Sequence, residues 1–255
     1  MKFKKIVVGN WKMNPGSLKE AEKTFLAITK GLEKVKGVAV VICPPAPFIY
    51  ALHKLSGSRK IKLGAQDVFW ERSGSYTGEV SASQLKEVGA KFVIINHSER
   101  RALGETDSGA NKKVSALLRE EITPVVCIGE ARRDKEGLFL SYIENQIKTI
   151  FEGVSAAMIR NVVIAYEPVW AIGGTESMKP TEIYEMTILI RKILSSLYNN
   201  KIGAEATIIY GGSVNAENIE EIMREGNVQG VLPGRASQEP EPLAKIIGAV
   251  ASTHR

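Results

Sequence analysis

Cysteine is nearly absent from this chain of 255 residues: Cys43 and Cys127 are the only two, each in an apolar run and without CxxC spacing. Histidine is scarce as well, with three residues and no cluster. Together these absences argue against a disulfide scaffold and against a zinc site, and no metal is expected. Long apolar runs are missing too: none approaches the roughly 18 residues needed to cross a bilayer, so no membrane association is expected. The basic start, Met1 to Lys5, is followed only by Ile6, Val7 and Val8 before Gly9 and Asn10. That is too short for the apolar core of a signal peptide, and the expected location is cytoplasmic. No Ser/Gly-rich linker or low-complexity segment divides the chain. Aromatics make up 7% of it and are scattered at core-like positions. A nucleic-acid surface would interleave them with basic residues, so no nucleic-acid partner is expected.

The net charge is +6, unevenly placed: residues 1–100 hold 17 basic and 8 acidic side chains, residues 101–255 hold 17 and 20. A solvated lysine-rich surface explains this as well as steering of a small anionic substrate does. Hydrophobic residues make up 44%, ordinary for a folded protein, and the length suits one α/β barrel. Eight short β-branched runs recur, at 6–9, 38–43, 61–65, 92–95, 124–128, 162–166, 206–210 and 228–232. Each has the length of a strand buried on both faces. Helical periodicity fills the intervals. Leu18, Ala21, Phe25, Ile28 and Leu32 share one face behind a Ser17/Glu20 capping box, and Ser81/Gln84 repeats the box. Pro180 suits a first helical turn, and Asn215 is placed to cap a helix carrying Ile219, Ile222 and Met223. Strand and helix alternate to the end. The pattern predicts an α/β fold, a closed (β/α)8 barrel forming a single domain over 1–255, with a doubly wound open sheet as runner-up.

In such a barrel the chemistry sits at the carboxyl ends of the strands. Those positions hold Asn10 and Lys12, then His97 and Glu99, then Glu167, then Gly211, Gly212 and Ser213, and finally Gly234 and Arg235. Singly, each has an ordinary explanation: a solvated lysine, a structural histidine, a strand-ending glutamate beside Pro168, a glycine turn. Their shared rim position joins them. A carboxylate can remove a carbon-bound proton, and an imidazole with an ammonium can stabilise the enediolate oxygen that results. Glycine loops can donate backbone N–H groups to a phosphate. The set suits proton transfer next to a carbonyl.

GNWKMN at 9–14, YTGEVS at 76–81, HSERR at 97–101, AYEPVWAI at 165–172 and YGGSVN at 210–215 resemble, in order and spacing, the triosephosphate isomerase family. The resemblance implies a TIM barrel that interconverts dihydroxyacetone phosphate and glyceraldehyde 3-phosphate, in glycolysis and gluconeogenesis, without a cofactor. It implies Glu167 as the base, His97 as the electrophile, Lys12 as the cation offsetting the substrate's charge, Asn10 as a substrate contact and Glu99 as a supporting carboxylate. Gly173, Ser213 and the Gly234-Arg235 step would present backbone N–H groups to the phosphate. The loop 66–80 would dock into a second copy, with Thr77 reaching the other active site, so a homodimer is expected.

Three positions depart from that family's pattern. Gly174-Thr175-Glu176 stands where Thr-Gly-Lys is usual, in a lid whose closing can limit turnover. Arg235 replaces a second glycine in the phosphate turn, and its side chain is expected to point to solvent, with an approach to the phosphate as the alternative. Asn96 stands where glycine is common before His97, with little effect expected. Two other readings compete. One is another sugar-phosphate isomerase or aldolase on the same barrel; a Schiff-base aldolase would need a lysine within the strands, and the runs offer only Lys62, away from the catalytic rim. A binding protein, either a degenerate barrel or a nucleic-acid module, fits poorly with Lys12, His97 and Glu167 all present.

Overall fold

Apolar on both faces, the eight runs become eight parallel strands in the computed structural model, which describes residues 3–33, 35–56, 61–171 and 178–253. They are β1 (Ile6–Asn10), β2 (Ala39–Cys43), β3 (Ile61–Ala65), β4 (Phe92–Ile95), β5 (Thr123–Ile128), β6 (Val163–Tyr166), β7 (Thr207–Tyr210) and β8 (Gly230–Val231). Each strand pairs with its sequence neighbour, and β8 returns to β1 through Ile6–Gly230 and Val7–Val231. That closure decides for the barrel and against the open sheet. Alternation along the strands divides the core into two layers. Ile6, Val8, Val41, Cys43, Ile94, Val125, Cys127 and Ala165 fill the barrel interior, with Phe3 and Phe92 also in that cluster. Val7, Ile42, Ile95, Val126, Ile164 and Ile208 face the helices. Lys62 is exposed, its ammonium 5.9 Å from the Phe92 ring centroid at the amino end of the barrel, far from any rim chemistry.

The helices are α1 (Leu18–Gly31), α2 (Ile49–Ser56), α3 (Ala82–Glu87), α4 (Ser98–Ala102), α5 (Asp107–Arg119), α6 (Leu138–Ile150), α7 (Pro180–Leu197), α8 (Asn200–Glu205), α9 (Ile219–Glu225) and α10 (Pro240–Ser252). Ser17 Oγ accepts from the Glu20 N–H at the start of α1. At α3 the box is complete: Ser81 Oγ accepts from Gln84 N, and Gln84 Oε1 accepts from Ser81 N. Pro180 opens α7 as expected. Asn215 does not cap α9 directly. Its Oδ1 accepts from the N–H groups of Glu217 and Asn218 and closes a turn ahead of the helix, a preference of Asn that outcompetes capping here. Among the described residues, no helix is long and apolar enough to cross a membrane.

The loop 66–80 closes on itself. Phe69 donates its N–H to Val80 O, and its ring packs on Trp70 and Tyr76 at 4.2 and 4.6 Å. Residues 71–79 are all exposed, so the loop projects from the barrel.

Candidate active site

The loop after β1 is pinned from several sides. Lys12 sits at φ +54°, unusual for a residue with a side chain, and Asn10 Oδ1 accepts its N–H at 2.9 Å. Gln66 Nε2 donates to Lys12 O at 2.7 Å. The buried Trp11 donates from Nε1 to Ser237 O, tying this loop to the segment after β8. So anchored, Lys12 directs its ammonium to Glu99 Oε1 at 2.6 Å. The turn after β8 approaches closely: a Cβ on Gly234 would lie 3.1 Å from Lys12 Cε.

At the end of β4, Asn96 takes φ +58° and is completely buried. Its N–H donates to Glu105 Oε1, and Nδ2 donates to Asp107 Oδ1 and Cys127 O. The position expected to matter little therefore ties the chain reversal before His97 to α5 and β5. His97 then caps α4, with Nδ1 accepting from the Glu99 N–H at 3.2 Å. An imidazole whose Nδ1 accepts carries its proton on Nε2 when neutral. That Nε2 lies 3.2 Å from Glu167 Oε1, at an angle that makes no hydrogen bond. Glu167 Oε2 accepts from the Ser98 N–H at 3.1 Å. The carboxylate has no exposure at all. A Cβ on Gly211 would lie 2.7 Å from Glu167 Cγ, so only glycine lets β7 pass this close. Burial first, and then the Glu167 carboxylate, push the Cys127 thiol well above its ordinary value and keep it protonated.

A cavity of about 690 Å³ opens in front of these groups, lined by Lys12, His97, Gly211, Gly212, Ser213, Gly234 and Arg235 among others. Among the described residues, the N–H groups of Gly212, Ser213, Gly234 and Arg235 have no hydrogen-bond partner. Unsatisfied N–H groups at a cavity wall are a ready seat for an anion. The remaining candidates stand elsewhere. Glu167 lies behind His97 and Gly211 rather than in the wall, and Asn10 and Glu99 brace Lys12 instead of lining the cavity. Thr77 rides on the projecting loop. Gly173, and the lid positions Gly174, Thr175 and Glu176, fall outside the described residues.

The family model described as triosephosphate isomerase matches residues 5–250. The chain belongs to the triosephosphate isomerase family. It is 40% identical over 249 residues to the triosephosphate isomerase of Dictyoglomus turgidum, an alignment covering 96% of this chain and 98% of that one. The enzyme of Alkaliphilus oremlandii is 42% identical over 246 residues, covering 96% and 98%. That of Aquifex aeolicus is 39% identical over 247 residues, covering 96% and 99%. Family membership makes the chain an isomerase.

One group beside the site escaped the sequence reading. Glu130, just past β5 and almost fully buried, accepts from Tyr166 Oη at 3.0 Å, Trp170 Nε1 at 3.0 Å and Arg133 Nε at 2.9 Å. Arg133 continues to Glu182 of α7 at 3.3 Å and lies 5.3 Å from the Trp170 ring centroid. Burial, and then the Glu130 charge, push the Tyr166 phenol above its ordinary value, so it remains a donor to Glu130. The strand-end rule applied to the fifth run singles out Glu130. Arg133 stands in a loop with no such signal.

Proposed function

We propose that this chain interconverts dihydroxyacetone phosphate and glyceraldehyde 3-phosphate at this cavity, a cofactor-free step of glycolysis and gluconeogenesis. The observation that carries the reading is the convergence of Lys12, His97 and the buried Glu167 beside unsatisfied backbone N–H groups. The phosphate seats on the N–H groups of Ser213, Gly234 and Arg235; Gly173 joins them on the strength of the resemblance alone. Glu167 takes the proton from the carbon next to the carbonyl. The C–H electron pair becomes the carbon–carbon double bond of an enediolate, and the former carbonyl oxygen gains the charge. His97 Nε2–H and the Lys12 ammonium stabilise that oxygen. Glu167 then returns the proton to the neighbouring carbon while a hydroxyl proton crosses between the two oxygens, so nothing is gained or lost. A glutamate base paired with a neutral imidazole is the pattern already known for triosephosphate isomerase. Glu167 Oε2 must leave the Ser98 N–H to reach substrate, and the bare Cα of Gly211 leaves it room. Asn10 and Glu99 act through Lys12.

The working unit in this reading is one barrel domain, 1–255, paired with a second copy through the loop 66–80, so that Thr77 reaches the partner's site. The exposure of 71–79, and of Met13 at 92% and Tyr76 at 44%, supports that pairing. Two free, buried thiols suit a reducing, cytoplasmic compartment. A coupled assay with glyceraldehyde 3-phosphate tests the reading: turnover by the wild-type chain supports it, and none overturns it.

A further inference from the structure

Among the described residues, three cations line the cavity: Lys12, Arg235 and Lys245. Two are engaged, Lys12 with Glu99 at 2.6 Å and Lys245 with Glu241 at 2.9 Å. The third is not. Arg235 is exposed on the turn after β8, and among the described residues its guanidinium has no hydrogen bond or ion pair. Among the described residues, Glu217 and Glu239 are the acids of the same wall, and neither pairs with it. Its own N–H and those of Ser213 and Gly234 also lack partners, so an unengaged charge and an unengaged set of dipoles face one space. Lys12 packs against Gly234 of the same turn.

We infer that the Arg235 side chain is a binding residue for the phosphate dianion, gripping it from the outer side of the turn while the backbone N–H groups hold it from within. This rests on the reading of the cavity as a phosphate seat. A guanidinium is planar and matches two phosphate oxygens at once, which backbone dipoles and the single ammonium of Lys12 do not do. Because the phosphate does not react, this grip is the same in substrate and enediolate. It lowers KM and leaves the chemical step largely to Lys12, His97 and Glu167. It also selects the dianion over the monoanion, whose second proton leaves near pH 6.

The experiment measures KM for glyceraldehyde 3-phosphate and competitive inhibition by inorganic phosphate in the wild type, Arg235→Gly and Arg235→Gln. Arg235→Gly keeps every backbone N–H of the turn, and Arg235→Gln keeps a side chain of comparable reach without charge. The expected result is a parallel rise in KM and in the phosphate inhibition constant of about three- to tenfold in both variants, larger at low salt, with kcat falling by a smaller factor. If one variant loses its melting transition, the other decides. Unchanged KM and phosphate inhibition overturn the inference. A wild type that phosphate does not inhibit competitively would instead overturn the phosphate seat itself.

Discussion

Glu167 has no exposure, one carboxyl oxygen accepting from the Ser98 N–H and the other without a hydrogen-bond partner 3.2 Å from His97 Nε2. Such a group keeps its place only because its neighbours leave no alternative. Gly211 is the sharpest of these constraints, since any Cβ there would come 2.7 Å from Glu167 Cγ. Gly211→Ala is therefore expected to lower kcat by on the order of 10²-fold with a smaller change in KM, read by steady-state kinetics. Retained kcat would mean the base tolerates displacement. That Lys12, His97, Glu167, Ser213, Gly234 and Arg235 would meet at one rim was legible, because strand ends project there. What Asn10 and Asn96 do was not. Asn10 turns to the Lys12 N–H and Asn96 to Asp107 and Cys127 because the backbone enters the left-handed region at Lys12 and at Asn96 itself. No residue pattern announces that.

At the scale of elements, the apolar runs locate the strands to within one or two residues, since burial on both faces leaves little freedom in composition. β8 is shorter than its run, although the N–H groups of Gln229 and Leu232 still donate to Ile208 and Tyr210 of β7. Caps were legible where the side chain bonds to its own helix, as at Ser17 and Ser81, and misread at Asn215, where a turn intervenes. Ser81 matters most because it anchors α3 at the foot of the loop 66–80. Ser81→Ala is expected to cost about 1 kcal/mol, a drop in Tm of about 2–4 °C for a chain of this size. Thermal unfolding measures it, and an unchanged Tm would show the box to be redundant.

For the whole molecule, closure of β8 on β1 brings residues separated by more than two hundred positions to one mouth, as the Trp11–Ser237 bond illustrates. Alternation along the chain implied that closure without proving it. Glu130 stands just past a strand end, but its partners Arg133 and Trp170 lay beyond such reasoning, because they depend on how the loops after β5 and β6 meet. Of the positive charge, Lys12 and Arg235 line the cavity, Lys113 is buried between Asp67 and Glu105, and Lys19, Lys23 and Lys30 are exposed. The projecting loop predicts that sedimentation gives twice the 27.9 kDa chain mass; a single-chain mass at micromolar concentration would contradict the pairing.

If the strand-end cluster is the catalytic machinery and Glu167 its base, the reach of that carboxylate to the substrate carbon sets the rate. The most direct test is kcat of Glu167→Asp against wild type in the glyceraldehyde 3-phosphate assay, with thermal unfolding as the check on folding. The substitution keeps the charge and withdraws the carboxylate by about one methylene, on the order of 1 Å. A fall in kcat on the order of 10²-fold or more in a folded protein is expected if Glu167 is the base. Turnover within about twofold of wild type would contradict it.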